Sequence, residues 1–260
     1  MGNVATGSLT VVGTGIRCGS QITFEARVAI EQAEKVLTVA LDPLMERWLT
    51  QLNPRTESLH SLYRLGMERR QIYEEMTERV LQPVRSGLNV CFAVYGHPAV
   101  LVYSSHQAVQ RARREGFPAR MLPGISAEDC LFADLGIELA ASGCQSFEAN
   151  DFLIYRRVFD PHSALVLWQF TLIGESKYTA EIPNVRGLRV LTDYLRRYYP
   201  ADHPLCAYEA AQYPSSEPII ERFPLEQLPH ARVPPLSTLF VPSLGPAVPD
   251  QEMLRALGFA

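Results

Sequence analysis

The chain has 260 residues and a formal net charge of -4, and 47% of its residues are hydrophobic and 20% charged. These values are typical of a globular protein large enough for more than one lobe, and they argue against a generally basic nucleic-acid surface, although a local patch is compatible with them. The sequence shows no signal peptide and no apolar run near the roughly 18 residues of a membrane span. Its five scattered cysteines form no C-x-x-C pair, which argues against a disulfide framework and a zinc site. We therefore expect a reduced, cytoplasmic protein.

Strands and helices alternate through the first half of the chain. Short apolar runs predict buried strands at 8–15, 36–41, 89–96 and 119–124. Apolar residues at helical spacing between and after them predict helices at 23–36, 43–53, 69–85, 106–116 and 126–136, with Thr23 and Ser126 as N-caps. This alternation predicts an α/β fold with a mainly parallel N-terminal sheet.

The pattern changes after about Leu139. Short strand-like runs follow at 152–159, 164–174, 204–213, 218–223 and 237–242, with one predicted helix near 185–198. We therefore expect an N-terminal α/β lobe over residues 1–140, a C-terminal α+β lobe over 141–245 and a proline-broken tail over 246–260.

A glycine turn and two loops at predicted strand ends are candidate ligand-binding elements. Gly13-Thr14-Gly15 closes the first strand, but the third glycine of the dinucleotide fingerprint is missing, so a simple tight turn is an equal alternative. "YGHPAV" (95–100) and "PGISAE" (123–128) follow two further strands, at the ends where open α/β sheets bind ligands. A Gly-Pro turn and an ordinary capped helix are the structural alternatives for these two loops.

Polar side chains also interrupt the apolar runs of the second half, at Trp168-Gln169, Tyr208 to Ala210 and Ser237-Thr238. Buried polar groups need a partner in the protein or in a ligand, and partners within the protein are the simpler alternative. The sequence has no G-x-S-x-G elbow, and its six histidines form no H-x-x-x-H or H-x-E pair. Neither a serine hydrolase nor a metal site is therefore expected.

Arg69 and Tyr73 lie four residues apart in a predicted helix, so they share one helix face, and Tyr63 precedes them by a short loop. A guanidinium on that face either covers an aromatic ring in a stabilising contact or favours the phenolate form of a tyrosine for chemistry. For this pair taken alone, a structural contact is the favoured interpretation. Arg70 and Glu74, at the same spacing, have the pattern of a solvated ion pair.

Taken together, these stretches resemble the borosin peptide backbone α-N-methyltransferases, which belong to the wider tetrapyrrole methylase family. The resemblance spans about 8–242 and rests, in order, on "VVGTG", "RxxxY", "YGHPAV", "PGISAEDCLFADLGI", "SFEANDF", "LWQ" and "YEA". It implies a homodimer of two-lobed α/β chains that uses S-adenosylmethionine, releases S-adenosylhomocysteine and methylates backbone amide nitrogens without a metal.

The resemblance also implies which residues act. The catalytic set falls on Tyr63, Arg69 and Tyr73. The cofactor contacts fall on Gly13, Tyr95, His97, Val100, Ser126 and Ala127 in the first lobe, and on Gln169, Tyr208, Ala210, Ser237 and Thr238 in the second. As a hypothesis, Tyr73 activated by Arg69 removes the amide proton while Tyr63 hydrogen-bonds the carbonyl oxygen; which tyrosine is the base stays open.

The substrate class follows from two departures from family patterns. Ordinary tetrapyrrole methylases carry G-x-G-P-G-D-P after the first strand, whereas this chain has "GTGIRCGSQIT", which weakens a corrin or porphyrin interpretation. Fungal borosin enzymes carry their substrate as a C-terminal extension behind a helical clasp, and this sequence ends at Ala260. We therefore expect the split type, in which two enzymes and two separate precursor peptides form a heterotetramer.

Two alternatives from other functional classes stay open. One is a methyltransferase of the same fold that acts on a tetrapyrrole or another small molecule. The other is a catalytically silent scaffold protein that binds S-adenosylmethionine.

Overall fold

The computed structural model describes residues 7–40, 42–180 and 183–259. This part of the chain divides into two compact units. Unit 1 runs to Gly136 and also includes two later stretches, Glu175–Ala180 and Ala210–Ile219, whereas unit 2 holds the remaining described residues.

Unit 1 is built on a parallel sheet. Its strands are β1 (Ser8–Gly13), β2 (Lys35–Val39), β3 (Thr56–Ser58), β4 (Asn89–Val94) and β5 (Ala119–Leu122). Its helices are α1 (Phe24–Gln32), α2 (Pro43–Leu52), α3 (Arg69–Arg85), α4 (Tyr103–Arg114) and α5 (Ala127–Leu135). The strands lie in the order β3-β2-β4-β1-β5, and each pairing recorded among the described residues is parallel. The predicted parallel N-terminal sheet is confirmed.

Both faces of the unit 1 sheet are buried under helices. Successive side chains of a strand point to opposite sides, so each strand contributes apolar residues to both faces. On one face, Val11 and Phe92 pack with apolar residues of α3 and α4. On the other face, Val12 and Cys91 pack with apolar residues of α1 and α2. Parallel strands covered on both sides have nearly continuous apolar sequences, which is why these runs were recognisable as strands.

Unit 2 is built on a mixed sheet. Its strands are β6 (Cys144–Glu148), β7 (Ala164–Trp168), β8 (Pro204–Glu209), β9 (Ile219–Pro224) and β10 (Thr238–Val241), and its helices are α6 (Leu139–Ser142), α7 (Ala149–Ile154), α8 (Val185–Leu195) and α9 (Gln251–Leu257). The order is β6-β7-β10-β8-β9, with β6 parallel to β7 and β10 antiparallel to both β7 and β8. One core, which includes Phe152, Leu167, Leu191 and Leu239, lies within this unit.

Helix caps follow the sequence closely. The Thr23 hydroxyl accepts the backbone N–H of Ala26 and starts α1. Ser126 and Asp129 form a reciprocal capping box at the start of α5, and Gly136 ends that helix in the left-handed conformation. None of the described helices combines the length and the hydropathy that crossing a membrane requires.

One predicted strand is wrong. The run 152–159 contains the end of helix α7 followed by irregular chain. Glu148 caps α7 by accepting the backbone N–H of Asp151 at 2.8 Å, which starts a helix just before the apolar run. Phe152 is buried in the unit 2 core whereas Val158 is 95% exposed, so the apolar residues of this run do not face a common core.

Other strand boundaries also differ from the prediction. The strand predicted over 164–174 ends at Trp168, because Gln169 adopts a left-handed backbone with φ of 54° and a turn of 3-10 helix follows. Strands β3 and β6 have too few apolar residues for their sequences to indicate them. Leu41, the last residue of the strand predicted over 36–41, lies outside the described residues.

Gly187 gives a test of packing in unit 2. A Cβ atom at Gly187 would lie 2.4 Å from the carbonyl oxygen of Ile173, so Gly187→Ala forces backbone apart and should lower the free energy of unfolding by about 1–3 kcal/mol. Urea denaturation measures this loss. Val190→Ala is the control, because Val190 lies on the same helix α8 and is 51% exposed; an equal loss in both variants would contradict the clash.

Candidate active site at the carboxyl edge of the parallel sheet

Three loops of unit 1 touch through their glycines. β1, β4 and β5 are neighbouring parallel strands, so the loops that follow them leave the same edge of the sheet. Gly15 and Gly96 exchange backbone hydrogen bonds of 3.3 and 3.0 Å. A Cβ atom at Gly13 would lie 2.2 Å from the carbonyl oxygen of Gly96 and 3.2 Å from the Cα of Gly124. The G-x-G turn therefore lets the three loop backbones pack against each other, a function that its sequence alone did not indicate.

The loop after β4, which contains Tyr95, His97 and Val100, is held in one shape by its own hydrogen bonds. His97 Nδ1 accepts the backbone N–H of Ala99 at 3.0 Å, and the backbone N–H of Val100 donates to the His97 carbonyl oxygen at 3.1 Å. The next residue, Leu101, has a φ of 56°, which is strained for a side chain branched beyond Cβ. Strained backbone of this kind concentrates at ligand-binding and catalytic sites.

The loop after β5 leads directly into α5. Ser126 Oγ donates to the carboxylate of Asp129 at 2.8 Å and accepts the backbone N–H of Asp129 at 3.2 Å. Ser126 is buried, and Ala127 is the first residue of the helix. The Ser126 hydroxyl is thus engaged in capping, as the structural alternative for this loop expects.

Arg69, the first residue of α3, lies with three tyrosines at the same edge of the sheet. Tyr63 follows β3 through a turn of 3-10 helix, and Tyr73 is one helical turn beyond Arg69. Tyr178 comes from the stretch Glu175–Ala180, which belongs to unit 1. We call these four residues the tyrosine–arginine cluster; the three tyrosine rings pack against the unit 1 core.

Two distances define the contacts within the cluster. The Tyr63 and Tyr178 ring centroids are 5.1 Å apart with the rings tilted by 44°. Arg69 Cζ lies 5.6 Å from the centroid of the Tyr178 ring. Arg69 therefore does cover an aromatic ring, but the ring belongs to Tyr178. Tyr178 was missed in the sequence, where the available signal is one aromatic residue in the otherwise polar connection "SKYTA".

Backbone pairing brings Tyr178 to this position. The N–H of Tyr178 donates to the carbonyl oxygen of Met67 at 2.8 Å, and the N–H of Gly66 donates to the carbonyl oxygen of Tyr178 at 2.9 Å. The N–H of Arg69 donates to the carbonyl oxygen of Ser176 at 2.9 Å. A short antiparallel ladder thus joins the start of α3 to residues more than a hundred positions later, a pairing that no local pattern indicates.

The cluster keeps the Tyr63 phenol protonated. Burial is the largest cause that raises the pKa of Tyr63 far above the ordinary value of a tyrosine, and nearby Tyr73 raises it further. The Arg69 guanidinium lowers this pKa, and Tyr178 has a smaller raising effect. Because burial raises this pKa by more than Arg69 lowers it, the Tyr63 phenol stays protonated at neutral pH and can donate a hydrogen bond.

The Arg69 guanidinium is only partly satisfied within the described part of the chain. Its Nε atom is buried without a hydrogen-bond partner there, and none of the ion pairs recorded among the described residues includes Arg69. A buried donor without a partner costs about 1–3 kcal/mol, so each such group calls for a physical explanation.

The adjacent arginine on the same helix behaves differently. Arg70 is paired with Glu74 at 3.4 Å, with its side chain 71% exposed, which confirms the predicted solvated ion pair. Its Cζ also lies 4.2 Å from the centroid of the Tyr103 ring. Glu74 accepts the Tyr103 hydroxyl at 2.6 Å and pairs with Arg111. The Arg70 side chain thus belongs to a surface network, which borders the tyrosine–arginine cluster where the Tyr103 and Tyr73 ring centroids lie 6.4 Å apart.

Unit 2 brings four of its predicted site residues to one edge of its sheet. Since β10 is antiparallel to β7 and β8, its start at Thr238 lies beside their ends, and Thr238 pairs with Tyr208. Gln169 follows the end of β7 in its left-handed conformation. Ser237, 2% exposed, has a buried Oγ without a hydrogen-bond partner among the described residues. Ala210 follows two residues after Tyr208 and is counted with unit 1.

One sequence expectation about these polar residues is decided by their surroundings. Trp168 finds its partner inside the protein, because its Nε1 donates to Ser146 Oγ at 2.5 Å. Within the described ranges, no group of three or more His, Cys, Asp or Glu side chains is arranged to hold a metal ion.

This chain is similar to one family of proteins in sequence and to several solved structures in fold. The family described as Tetrapyrrole (Corrin/Porphyrin) Methylases matches residues 8–229. The chain belongs to this family. A uroporphyrin-III-C-methyltransferase from Thermus thermophilus has a similar structure, with a TM-score of 0.65 at 21% identity over 92% of this chain and 93% of that one. A diphthine synthase gives 0.61 at 19% identity over 90% and 89%. At these identities the likeness concerns the fold alone, and the predicted two-lobed fold is confirmed.

Curated relatives are closer in sequence. The chain is 42% identical, over 96% of its length, to a methyltransferase and gymnopeptides precursor of Gymnopus fusipes, of which it covers 61%. It is 39% identical to the omphalotin A counterpart of Omphalotus olearius, covering 96% of this chain and 61% of that protein. A type I borosin precursor of Coprinopsis marcescibilis is 38% identical over 99% of this chain and 68% of its own length. The chain thus spans about three fifths of the length of the first curated relatives it matches.

Charge and burial act in opposite directions on the pKa of Tyr63, and a titration of this phenol tests both effects. Arg69→Met removes the cation that lowers the pKa of Tyr63, so this pKa should rise further in the variant. Carbon-13 NMR of ring-labelled tyrosine, assigned with Tyr63→Phe, follows the phenol, and Arg197→Met in unit 2 is the control.

The raised pKa of Tyr63 also makes the free energy of unfolding depend on pH. The folded-state pKa lies above the unfolded value of about 10, so the contribution of Tyr63 to stability is complete below about pH 10 and is lost progressively above it. A Tyr63 signal that titrates at or below the ordinary value in the wild type would contradict the buried cluster.

Proposed function

We propose that the protein is an S-adenosylmethionine-dependent methyltransferase that methylates backbone amide nitrogens of a ribosomally made peptide. The observation that carries the proposal is the tyrosine–arginine cluster at the carboxyl edge of the parallel sheet. The relatives support it, since those of Gymnopus fusipes, Omphalotus olearius and Coprinopsis marcescibilis are each named as a methyltransferase and as the precursor of a ribosomally synthesised cyclic peptide.

Backbone N-methylation makes two demands that the cluster meets. An amide nitrogen is a poor nucleophile because its lone pair is delocalised into the carbonyl group. Its attack on a methyl group requires a base for the N–H proton and a donor at the carbonyl oxygen, where negative charge collects. The protonated Tyr63 is suited to donate to that oxygen, which leaves Tyr73 to take the proton.

Arg69 supports both tyrosines in this scheme. A cation within a few ångströms stabilises a phenolate, and Tyr73 follows Arg69 by one helical turn. The unsatisfied Nε–H of Arg69 can also donate to an oxygen that becomes negative during the reaction. The cluster thus binds the amide, holds its oxygen and accepts its proton at the Tyr73 oxygen. S-adenosylmethionine, when bound, supplies the methyl group, which passes from the sulfonium to the amide nitrogen.

Each unit, taken by itself, has features that support its share of the predicted cofactor contacts. In unit 1, Gly13, Tyr95, His97, Val100, Ser126 and Ala127 all lie on the three loops that touch through their glycines. In unit 2, the unsatisfied hydroxyl of Ser237 and the strained backbone of Gln169 are features that a bound polar molecule would explain. Tyr208, Ala210 and Thr238 stay predicted contacts.

The origin of the peptide is the part of the proposal that the relatives leave open. Their names join methyltransferase and precursor in one protein. The separate precursor, the homodimer and the heterotetramer of two enzymes and two precursors therefore stay predictions from the resemblance.

Three substrates separate the proposal from its alternatives. The purified protein is incubated with S-adenosylmethionine and, in turn, with a synthetic apolar peptide, with uroporphyrinogen III, and with peptides encoded beside its gene. Mass spectrometry of each product, and of the protein chain itself, locates every added methyl group. A peptide already methylated on each backbone nitrogen is the control.

The expected result is methyl groups on backbone nitrogens of a peptide, in the same chain or in another. Transfer to uroporphyrinogen III alone would replace the proposal with a tetrapyrrole methyltransferase. Binding of S-adenosylhomocysteine without transfer to any of these substrates would replace it with a silent binding protein.

Variants of the cluster test the mechanism. Tyr73→Phe and Arg69→Ala should each lower peptide methylation by about 100-fold or more, because a lost base or its activating cation typically costs this much. Calorimetric binding of S-adenosylhomocysteine should change little. Arg70→Ala is the matched control, since the neighbouring Arg70 belongs to the solvated network. Methylation near the wild-type rate in both cluster variants would remove this mechanism.

A further inference from the structure

The side chain of Arg69 is held in an unusual way for a partly buried arginine whose Nε atom is shielded from solvent. Arginines near a protein core are normally paired with a carboxylate, which satisfies the charge and fixes its position. Among the described residues, the face of the Tyr178 ring, 5.6 Å from Cζ, is the charged group's recorded contact. Other arginines of α3, such as Arg79 and Arg85, are paired with glutamates.

An aromatic face and a carboxylate would have different effects on catalysis. A carboxylate would neutralise the guanidinium and compete with a phenolate for it. A ring attracts a cation through its quadrupole, yet it accepts no proton and carries no net charge. The ring therefore fixes the guanidinium while its charge and its Nε–H stay available for a reacting group.

The same ring also contacts the proposed donor. Tyr178 lies 5.1 Å from the Tyr63 ring, so one side chain touches both the cation and the tyrosine that hydrogen-bonds the carbonyl oxygen. The ladder between residues 66–69 and 176–178 fixes the backbone on both sides of these contacts. The ring that holds Arg69 is thus itself held by the Tyr63 ring and by the backbone ladder.

We propose, on the basis of the function proposed above, that Tyr178 is a positioning residue whose ring face holds the Arg69 guanidinium in place for catalysis. The ring is required and the hydroxyl is not. Tyr178 acts through Arg69 and takes no proton itself.

Three substitutions separate the ring from the hydroxyl. Tyr178→Phe keeps the ring and should retain turnover within about twofold of the wild type, whereas Tyr178→Leu should lower kcat by about tenfold with little change in KM. Tyr178→Met is a second variant without a ring, in case the leucine variant fails to fold. In an Arg69→Ala background, Tyr178→Leu should add no further loss, because the residue through which it acts is gone.

Tyr194 provides a matched control in unit 2. Arg197 Cζ lies 5.5 Å from the centroid of its ring, nearly the distance in the Arg69–Tyr178 pair, and Tyr194 also packs against a core while partly exposed. Tyr194→Leu should therefore reproduce any general loss of stability without the loss of turnover.

A second readout does not depend on methyl transfer. The Nε–H resonance of Arg69, assigned by its absence in Arg69→Ala, reports by NMR whether the guanidinium is fixed and shielded from water. Its hydrogen exchange should be slow in the wild type and in Tyr178→Phe, and should accelerate about tenfold or more in the variants without a ring.

The outcomes separate this inference from the proposed function. Three results would each overturn the role of Tyr178. The first is a folded Tyr178→Leu variant that retains turnover, and the second is an equal loss of turnover in Tyr178→Phe and Tyr178→Leu. The third is a loss of turnover while the hydrogen exchange of the Arg69 Nε–H is unchanged. A wild-type protein that methylates no substrate would overturn the proposed function, and the exchange measurement would still decide whether the ring fixes Arg69.

Discussion

The parallel pairing of five strands is the constraint on which the site depends. Because parallel strands end at the same edge of a sheet, chain segments far apart in sequence begin their loops side by side. Gly13, Gly96 and Gly124 let three of these loops touch backbone to backbone at that edge. The edge strand β3 leads to Tyr63 at the same side, and α3 begins there with Arg69. The candidate site therefore follows from sheet topology before any side chain is considered.

The second feature of the candidate site is that Arg69 has no counter-charge among the residues that the structure describes. Elsewhere on α3, arginines are paired with glutamates in partly exposed networks, and such pairs contribute little to stability or chemistry. Arg69 is surrounded instead by tyrosines, so its charge acts on phenols rather than on a carboxylate. Burial raises the pKa of Tyr63 by more than this charge lowers it, so the phenol stays protonated at neutral pH.

Much of this arrangement was predictable from the sequence, for identifiable reasons. Apolar runs between glycine turns indicated the buried parallel strands, and Thr23 and Ser126 indicated helix starts through local capping chemistry. Long-range contacts were not predictable: Tyr178 reaches the cluster through a ladder with residues 66–69, to which neither segment's own pattern points. The run 152–159, which begins inside the helix Ala149–Ile154, was predicted as a strand because a short apolar run fits both periods, and capping by Glu148 favours the helix.

The central claim is that the tyrosine–arginine cluster binds the amide whose nitrogen is methylated. A crystal structure with S-adenosylhomocysteine and a peptide that the protein methylates tests this claim most directly. The account predicts a peptide N–H within hydrogen-bonding distance of the Tyr73 oxygen, with the carbonyl oxygen of the same amide accepting from Tyr63. A peptide bound away from these tyrosines, with the Tyr73 hydroxyl facing open solvent, would contradict it.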